Sequence, residues 1–170
     1  MSQIVLTAVV AIFPIVVVAA AATDFLTMTI SNRLSGALAV AGLAALALSA
    51  PGWAAFGGHV AAAVVVFALG FGFFAMGWMG GGDVKFAAAV ALWLGWGPLL
   101  DFALGFSIWG GLLTVAVLIA DRALAPLPAL RVGFLAQFPD HKRIPYGIAL
   151  AVAALQVFPT TPWFLVFSAA

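Results

Sequence analysis

Two of the five acidic residues in this chain of 170, all of them Asp, stand where a merely solvated charge is out of place. Asp24 directly follows the apolar run Ile4 to Thr23, with no basic residue before Arg33. Asp83 follows Met79-Gly80-Gly81-Gly82 and opens another apolar stretch. A carboxylate in such a setting is costly, roughly 2.5–3.5 kcal/mol at a bilayer centre, and marks a candidate functional site. Two carboxylates brought together in a partly dry place cannot both ionise easily and hold one proton between them. That is chemistry able to hydrolyse a peptide bond. The ionised Asp takes a proton from water, which attacks the carbonyl; the protonated Asp donates to the carbonyl oxygen; a proton then passes to the leaving amine. Glycines without side chains let a substrate backbone approach such a pair closely. The residues alone serve equally well as a proton or ion relay in a small transporter or channel, with the glycine stretch as a broken helix. Asp101, Asp121 beside Arg122, and Asp140 within Pro139 to Lys142 read as solvated loop charges.

The elements that must carry these residues are membrane helices. Apolar residues make up 66% of the chain and charged ones 6%, against about 45–50% and 25% in an average soluble domain. The hydrophobic runs predict an all-α, polytopic integral membrane bundle of about six helices, a single domain over 1–170. The expected spans are Ile4–Thr23, Leu34–Ala50, Gly57–Met76, Phe86–Leu94 (extended toward Leu99), Phe102–Ala120 and Tyr146–Phe158, the last interrupted by Pro159 and Pro162. The first run lacks the basic n-region of a signal peptide and reads as a retained helix. Gly77 to Gly82 is too rich in glycine for a helix interior and reads as an interruption or cap. Gly70, Gly72 and Gly77 suit helix packing through small residues. Asp121 to Arg143 is the single long loop, with Ala129 to Phe138 able to lie flat at the interface.

Charge placement supports that segmentation. Arg33, Lys85, Arg122, Arg131, Lys142 and Arg143 all fall on one side under a six-span reading, which the excess of Lys and Arg in cytoplasmic loops identifies as the cytoplasmic side. Asp24 and Asp83 then share the cytoplasmic helix ends, while Trp53, Trp96 and Trp163 suit the opposite interface. Lys85 reads as a snorkelling anchor or a holder of substrate. Asn32 either caps the second helix or bonds near Asp24, and His59 and His141 read as solvated. With no Cys and two isolated His, no metal site is expected. A net charge of +1 gives no basic surface for nucleic acid.

These residues also resemble a known family. Gly80-Gly81-Gly82-Asp83-Val84-Lys85 resembles the Gly-x-Gly-Asp motif of membrane-embedded aspartic peptidases, in the Gly-Gly-Gly-Asp-Val-Lys form of type IV prepilin peptidases. Asp24 with Ile30, Asn32 and Arg33 resembles that family's first motif, an Asp followed by Ile-Pro-Asn, with Ser31 in place of the Pro. Ile144-Pro145-Tyr146-Gly147 resembles a Pro-Tyr-Gly segment opening the last helix of its short members. The resemblance implies that Asp24 and Asp83 are the catalytic pair, with Gly80, Gly81, Gly82, Lys85 and Asn32 in the active-site loops or against substrate. It implies a prepilin or pseudopilin substrate, a bacterial inner-membrane location with the site facing the cytoplasm, and no cofactor. The larger members' paired Cys and methyltransferase activity are not expected here. The chain looks most like the short peptidase-only proteins of tight-adherence, Flp-type pilus assembly. Against this stand a proton-coupled transporter and a catalytically idle pilus or secretion component.

Overall fold

The structure, a computed structural model, describes residues 3–124 and 144–168. Among these residues seven helices follow one another: α1 Gln3–Thr27, α2 Asn32–Ser49, α3 Trp53–Ala75, α4 Gly81–Leu94, α5 Leu99–Leu124, α6 Tyr146–Val157 and, after a 3₁₀ turn at Phe158–Thr160, α7 Pro162–Ser168. Four are long and apolar enough to cross a membrane: Ile4–Thr27, Asn32–Ser49, Trp53–Ala75 and Leu99–Ala120. The chain is a multi-pass, all-α membrane protein, as its composition predicts.

The other two expected spans are shorter helices sheltered by the long ones. The 14 residues of α4 rise about 21 Å, short of a hydrocarbon core of about 30 Å. This helix nonetheless forms the centre of the molecule. From Phe86 to Leu94 only Ala88 escapes full burial, and α4 packs on α3, α2 and α6. Lipid tails are as apolar as Leu, so close packing of small residues, rather than the hydrophobic effect, holds such a bundle together. Ala87, Ala89 and Ala91 of α4 and Ala149, Ala151, Ala153 and Ala154 of α6 are all buried. The phenylalanines of α3, Phe67, Phe71, Phe73 and Phe74, remain exposed on the outside.

Several boundaries differ from the sequence expectation, two of them at the candidate site for a local reason. The first helix runs past Thr23 through Asp24 to Thr27, because Asp24 is buried against α6 rather than solvated; Met28 (φ 55) closes it, donating its N–H to the Asp24 carbonyl at 2.8 Å. In the glycine stretch, Gly77 (φ 74) makes the turn, but Gly81 and Gly82 already belong to α4 behind the N-cap Gly80. A helix's first turn lacks intrahelical N–H partners, so glycine there gives up little. Of the glycines expected to pack helices, Gly70 does so against Val84, where an added Cβ would meet a methyl at 3.0 Å; Gly72 and Gly77 have nothing within 4 Å. The helix expected to end at Ala120 extends to Leu124, through Asp121 and Arg122, which the sequence puts in a loop. Ala129 to Phe138, Arg131, Asp140, His141, Lys142 and Arg143 lie outside the described residues.

At the end of the bundle away from Asp24, an indole network ties the helices. Trp93 is fully buried and donates its indole N–H to the Leu38 carbonyl at 2.8 Å; Trp163 donates to the Trp93 carbonyl at 2.7 Å. Phe13 stacks on Phe158 at 4.7 Å and leans on Trp93 at 5.4 Å. Trp53 and Trp96 are exposed as an interfacial pair should be, but Trp163 is 4% exposed and belongs to the core. Its burial has a physical cause: α4 ends at Leu94, leaving last-turn carbonyls that need donors. Trp163 serves one of them. His59 serves another, its Nδ1 hydrogen-bonded to the Leu92 carbonyl at 2.8 Å, so it is a strap between α3 and α4 rather than a solvated side chain. Asp101 is exposed as expected, though in the first turn of α5, where a negative charge suits the helix dipole.

Candidate active site

The opposite end of the bundle gathers the C-termini of α1, α3 and α5 and the N-termini of α2, α4 and α6. Arg33, Lys85 and Arg122 are exposed there. Asp24 comes from the last turn of α1 and is 4% exposed. Its Oδ2 accepts the backbone N–H of Gly147, in the first turn of α6, at 2.7 Å. Asp83 is half-buried in the first turn of α4 and accepts the backbone N–H of Gly80. It thus reaches back from the third helical position to the N-cap, as the acidic member of a capping box does. The two carboxylates, far apart in sequence, share this end of the bundle: Ile30 lies against Gly82, which precedes Asp83, and against Gly147, which holds Asp24.

Each motif glycine meets a different neighbour. A Cβ on Gly80 would lie 2.9 Å from the Asp83 carboxylate oxygen, one on Gly81 would lie 3.3 Å from the Phe74 ring, and one on Gly82 would lie 3.0 Å from the Ile30 carbonyl oxygen. Ile30, buried in the α1–α2 connection, is wedged between the two halves of the site. Its backbone lies on Gly82 and its side chain against Gly147.

Asn32 and Lys85 bond to each other rather than to either Asp. Lys85 Nζ donates to Asn32 Oδ1 at 2.9 Å, a tie between α2 and α4 on the exposed rim. The N-cap of α2 is Ser31, whose hydroxyl accepts the Leu34 N–H at 3.4 Å. Ser at the position where the resembled motif has Pro therefore has a job of its own, since Ser is among the best N-cap residues. Beside the tie, an apolar groove of about 540 Å³ runs between α2, α3 and α4, lined by Ala39, Ala63, Val64, Phe67, Ala88 and Leu92. On the other flank a cavity of about 250 Å³ lies between Phe73, Trp78, Met79, Phe106 and Tyr146. No group of three or more metal-ligating side chains occurs among the described residues.

Sequence reasoning singled out Asp24, Asp83 and the glycines before Asp83, and the structure brings them together. It missed the role of Gly147 and the wedge at Ile30. The Pro-Tyr-Gly segment is a visible signal at position 147, but nothing in its spacing connects it to Asp24.

Comparison with known proteins adds a family. Residues 11–115, more than half of the chain, match the model of the type IV leader peptidase family. That span contains both carboxylates and the glycine motif. No curated protein and no solved structure matches.

Proposed function

Since this chain belongs to the type IV leader peptidase family, we propose that it cuts the leader from a prepilin or pseudopilin, with Asp24 and Asp83 as the shared acid and base. One observation carries the assignment of the pair: two carboxylates from different helices lie at the same end of the bundle, on either side of Ile30, and Asp24 is almost wholly shielded from solvent. Carboxylates that share a partly dry site keep one proton between them. The ionised member draws a proton from the attacking water, and the protonated member donates to the scissile carbonyl oxygen as the tetrahedral centre forms. Collapse of that centre then transfers a proton to the leaving amine. The bond is broken by water alone, and no metal or organic cofactor takes part in the scheme.

The exposed Arg33, Lys85 and Arg122 favour a cytoplasmic position for this end of the molecule. A leader would then be cut beside the hydrophobic helix of its precursor, at the inner membrane of a bacterium. The Lys85–Asn32 tie sits on the rim where a leader would arrive. The substrate class we favour is a Flp-type prepilin, on the resemblance to the short peptidase-only proteins.

Co-expression with a candidate Flp-type prepilin tests this reading. Electrophoretic mobility and the N-terminal sequence of the pilin are followed with wild-type protein and with Asp83→Asn. Loss of the leader with the wild type alone supports the assignment. A precursor left intact by the wild type, with several such pilins, refutes it and moves a proton relay ahead.

A further inference from the structure

We propose that Gly147 is the positioning residue of Asp24: its backbone N–H fixes one carboxylate oxygen, and its missing side chain permits that approach. The inference rests on Asp24 being a catalytic base or acid, as read above. The first turn of α6 supplies the donor. Its neighbours' N–H groups are used locally, Tyr146 donating to the Ile144 carbonyl at 2.8 Å and Ile148 to the Pro145 carbonyl at 3.1 Å. The Gly147 N–H instead leaves its own helix and bonds to Asp24 Oδ2 at 2.7 Å, the short distance of a charge-assisted bond. A helix's first turn always has such unpaired donors; here a buried carboxylate from another helix takes one.

The requirement for glycine is one of space. An added Cβ would lie 2.7 Å from Asp24 Oδ2, 2.8 Å from Ile30 Cδ1 and 2.9 Å from Asp24 Cβ. Rotation of the carboxylate relieves the first contact only by breaking the hydrogen bond. The third cannot be relieved by rotation at all, because Asp24 Cβ is fixed to the backbone of α1. Either α6 or the end of α1 must shift. The start of α6 is meanwhile anchored to α5, with the Tyr146 ring edge-on to Phe106 at 6.3 Å and lying over Gly110. The shift therefore falls on Asp24, the half of the site that must be aligned with Asp83.

Three variants test this in purified protein acting on a prepilin that the wild type cleaves. Gly147→Ala should lower kcat about 100-fold, the usual consequence of displacing a catalytic group by about 1 Å, with KM unchanged. Gly105→Ala is the packing control: its Cβ would meet Ala153 of α6 at 3.3 Å without touching either Asp, and the wild-type kcat is expected. Gly147→Ala with Ile30→Ala relieves the contact at Ile30 but leaves both contacts with Asp24, so it should remain slow, and thermal midpoints of all three variants separate a lost fold from a displaced carboxylate. A wild-type kcat in Gly147→Ala, or its restoration by Ile30→Ala, would overturn the proposal and leave Gly147 as a packing residue. An equal loss in Gly105→Ala would do the same. A readout independent of cleavage separates this inference from the functional one. Modification of Asp24 by a hydrophobic carbodiimide, followed by mass spectrometry, should rise in Gly147→Ala, and equal modification of both proteins overturns the inference. Raised modification in a protein that cleaves no prepilin would uphold the Gly147 hold on Asp24 and reject the peptidase reading.

Discussion

The three successive glycines before Asp83 should respond differently to the same added methyl group. None of them has a positive φ, so alanine is conformationally acceptable at each and the outcome depends on space. At Gly81 the methyl would meet the Phe74 ring at 3.3 Å, and Phe74 is 47% exposed, free to turn outward. Replacing a helical glycine by alanine favours the helix by up to ~1 kcal/mol, so Gly81→Ala should be neutral or slightly stabilising and keep a rate close to wild type. At Gly82 the methyl would sit 3.0 Å from the carbonyl oxygen of Ile30, a backbone atom in a buried connection. Overpacking of that kind costs ~1–3 kcal/mol, more than the propensity gain. It pushes Ile30 toward Gly147 and Asp24. At Gly80 the methyl would lie 2.9 Å from the Asp83 carboxylate itself. Asp83 must then rotate away from the Gly80 N–H, losing a cap of ~1 kcal/mol and its alignment. Gly80→Ala and Gly82→Ala should each lower kcat about 100-fold. The assay is the initial rate of leader removal by purified protein in detergent, beside the thermal midpoint of each variant. A Gly81→Ala protein as slow as Gly80→Ala, or a Gly82→Ala protein at the wild-type rate, would refute the reasoning.

Other parts of the fold make further predictions. In α2, Gly42→Ala places a Cβ 2.9 Å from the fully buried Trp93 indole nitrogen and should lower stability by ~1–3 kcal/mol, whereas Gly36→Ala meets nothing within 4 Å and should stabilise by up to ~1 kcal/mol; thermal midpoints in one detergent compare the two. Replacing His59 by Leu removes the donor from the Leu92 carbonyl at the far end and should cost ~1 kcal/mol of stability while kcat at the distant site stays put. On the rim, Lys85→Gln keeps a donor for Asn32 and should process precursor nearly normally, while Lys85→Leu should raise KM; initial rates across substrate concentration separate the two.

Much of this arrangement is legible in the sequence because membrane helices leave few polar residues to interpret. Asp24 and Asp83 stand out as carboxylates beside apolar runs, and the uneven distribution of Arg and Lys places both at one end of the bundle. What the sequence hides is the contact that crosses it. The bond from Gly147 to Asp24 joins a backbone N–H to a side chain 123 positions away, and backbone donors have no residue type to betray them. Nor does periodicity reveal that α4, apolar on every side, is the short central helix instead of one more span. The inward bonding of Trp163 and His59, at the end of the bundle where the sequence puts them, is hidden for a related reason. Both look interfacial by type, but the early end of α4 leaves carbonyls that recruit their ring N–H groups inward.

The most direct test is cleavage of a purified Flp-type prepilin by protein reconstituted in lipid vesicles, comparing wild type with Asp24→Asn, Asp83→Asn and Asp101→Asn. An amide can neither take a proton from water nor donate an acidic one, and general acid–base groups are worth about 100- to 10,000-fold each. Asp24→Asn and Asp83→Asn should therefore each fall by at least about 100-fold. Asp101→Asn, exposed at the other end of the molecule, should match the wild type. Wild-type cleavage by either of the first two variants would contradict the shared role of Asp24 and Asp83.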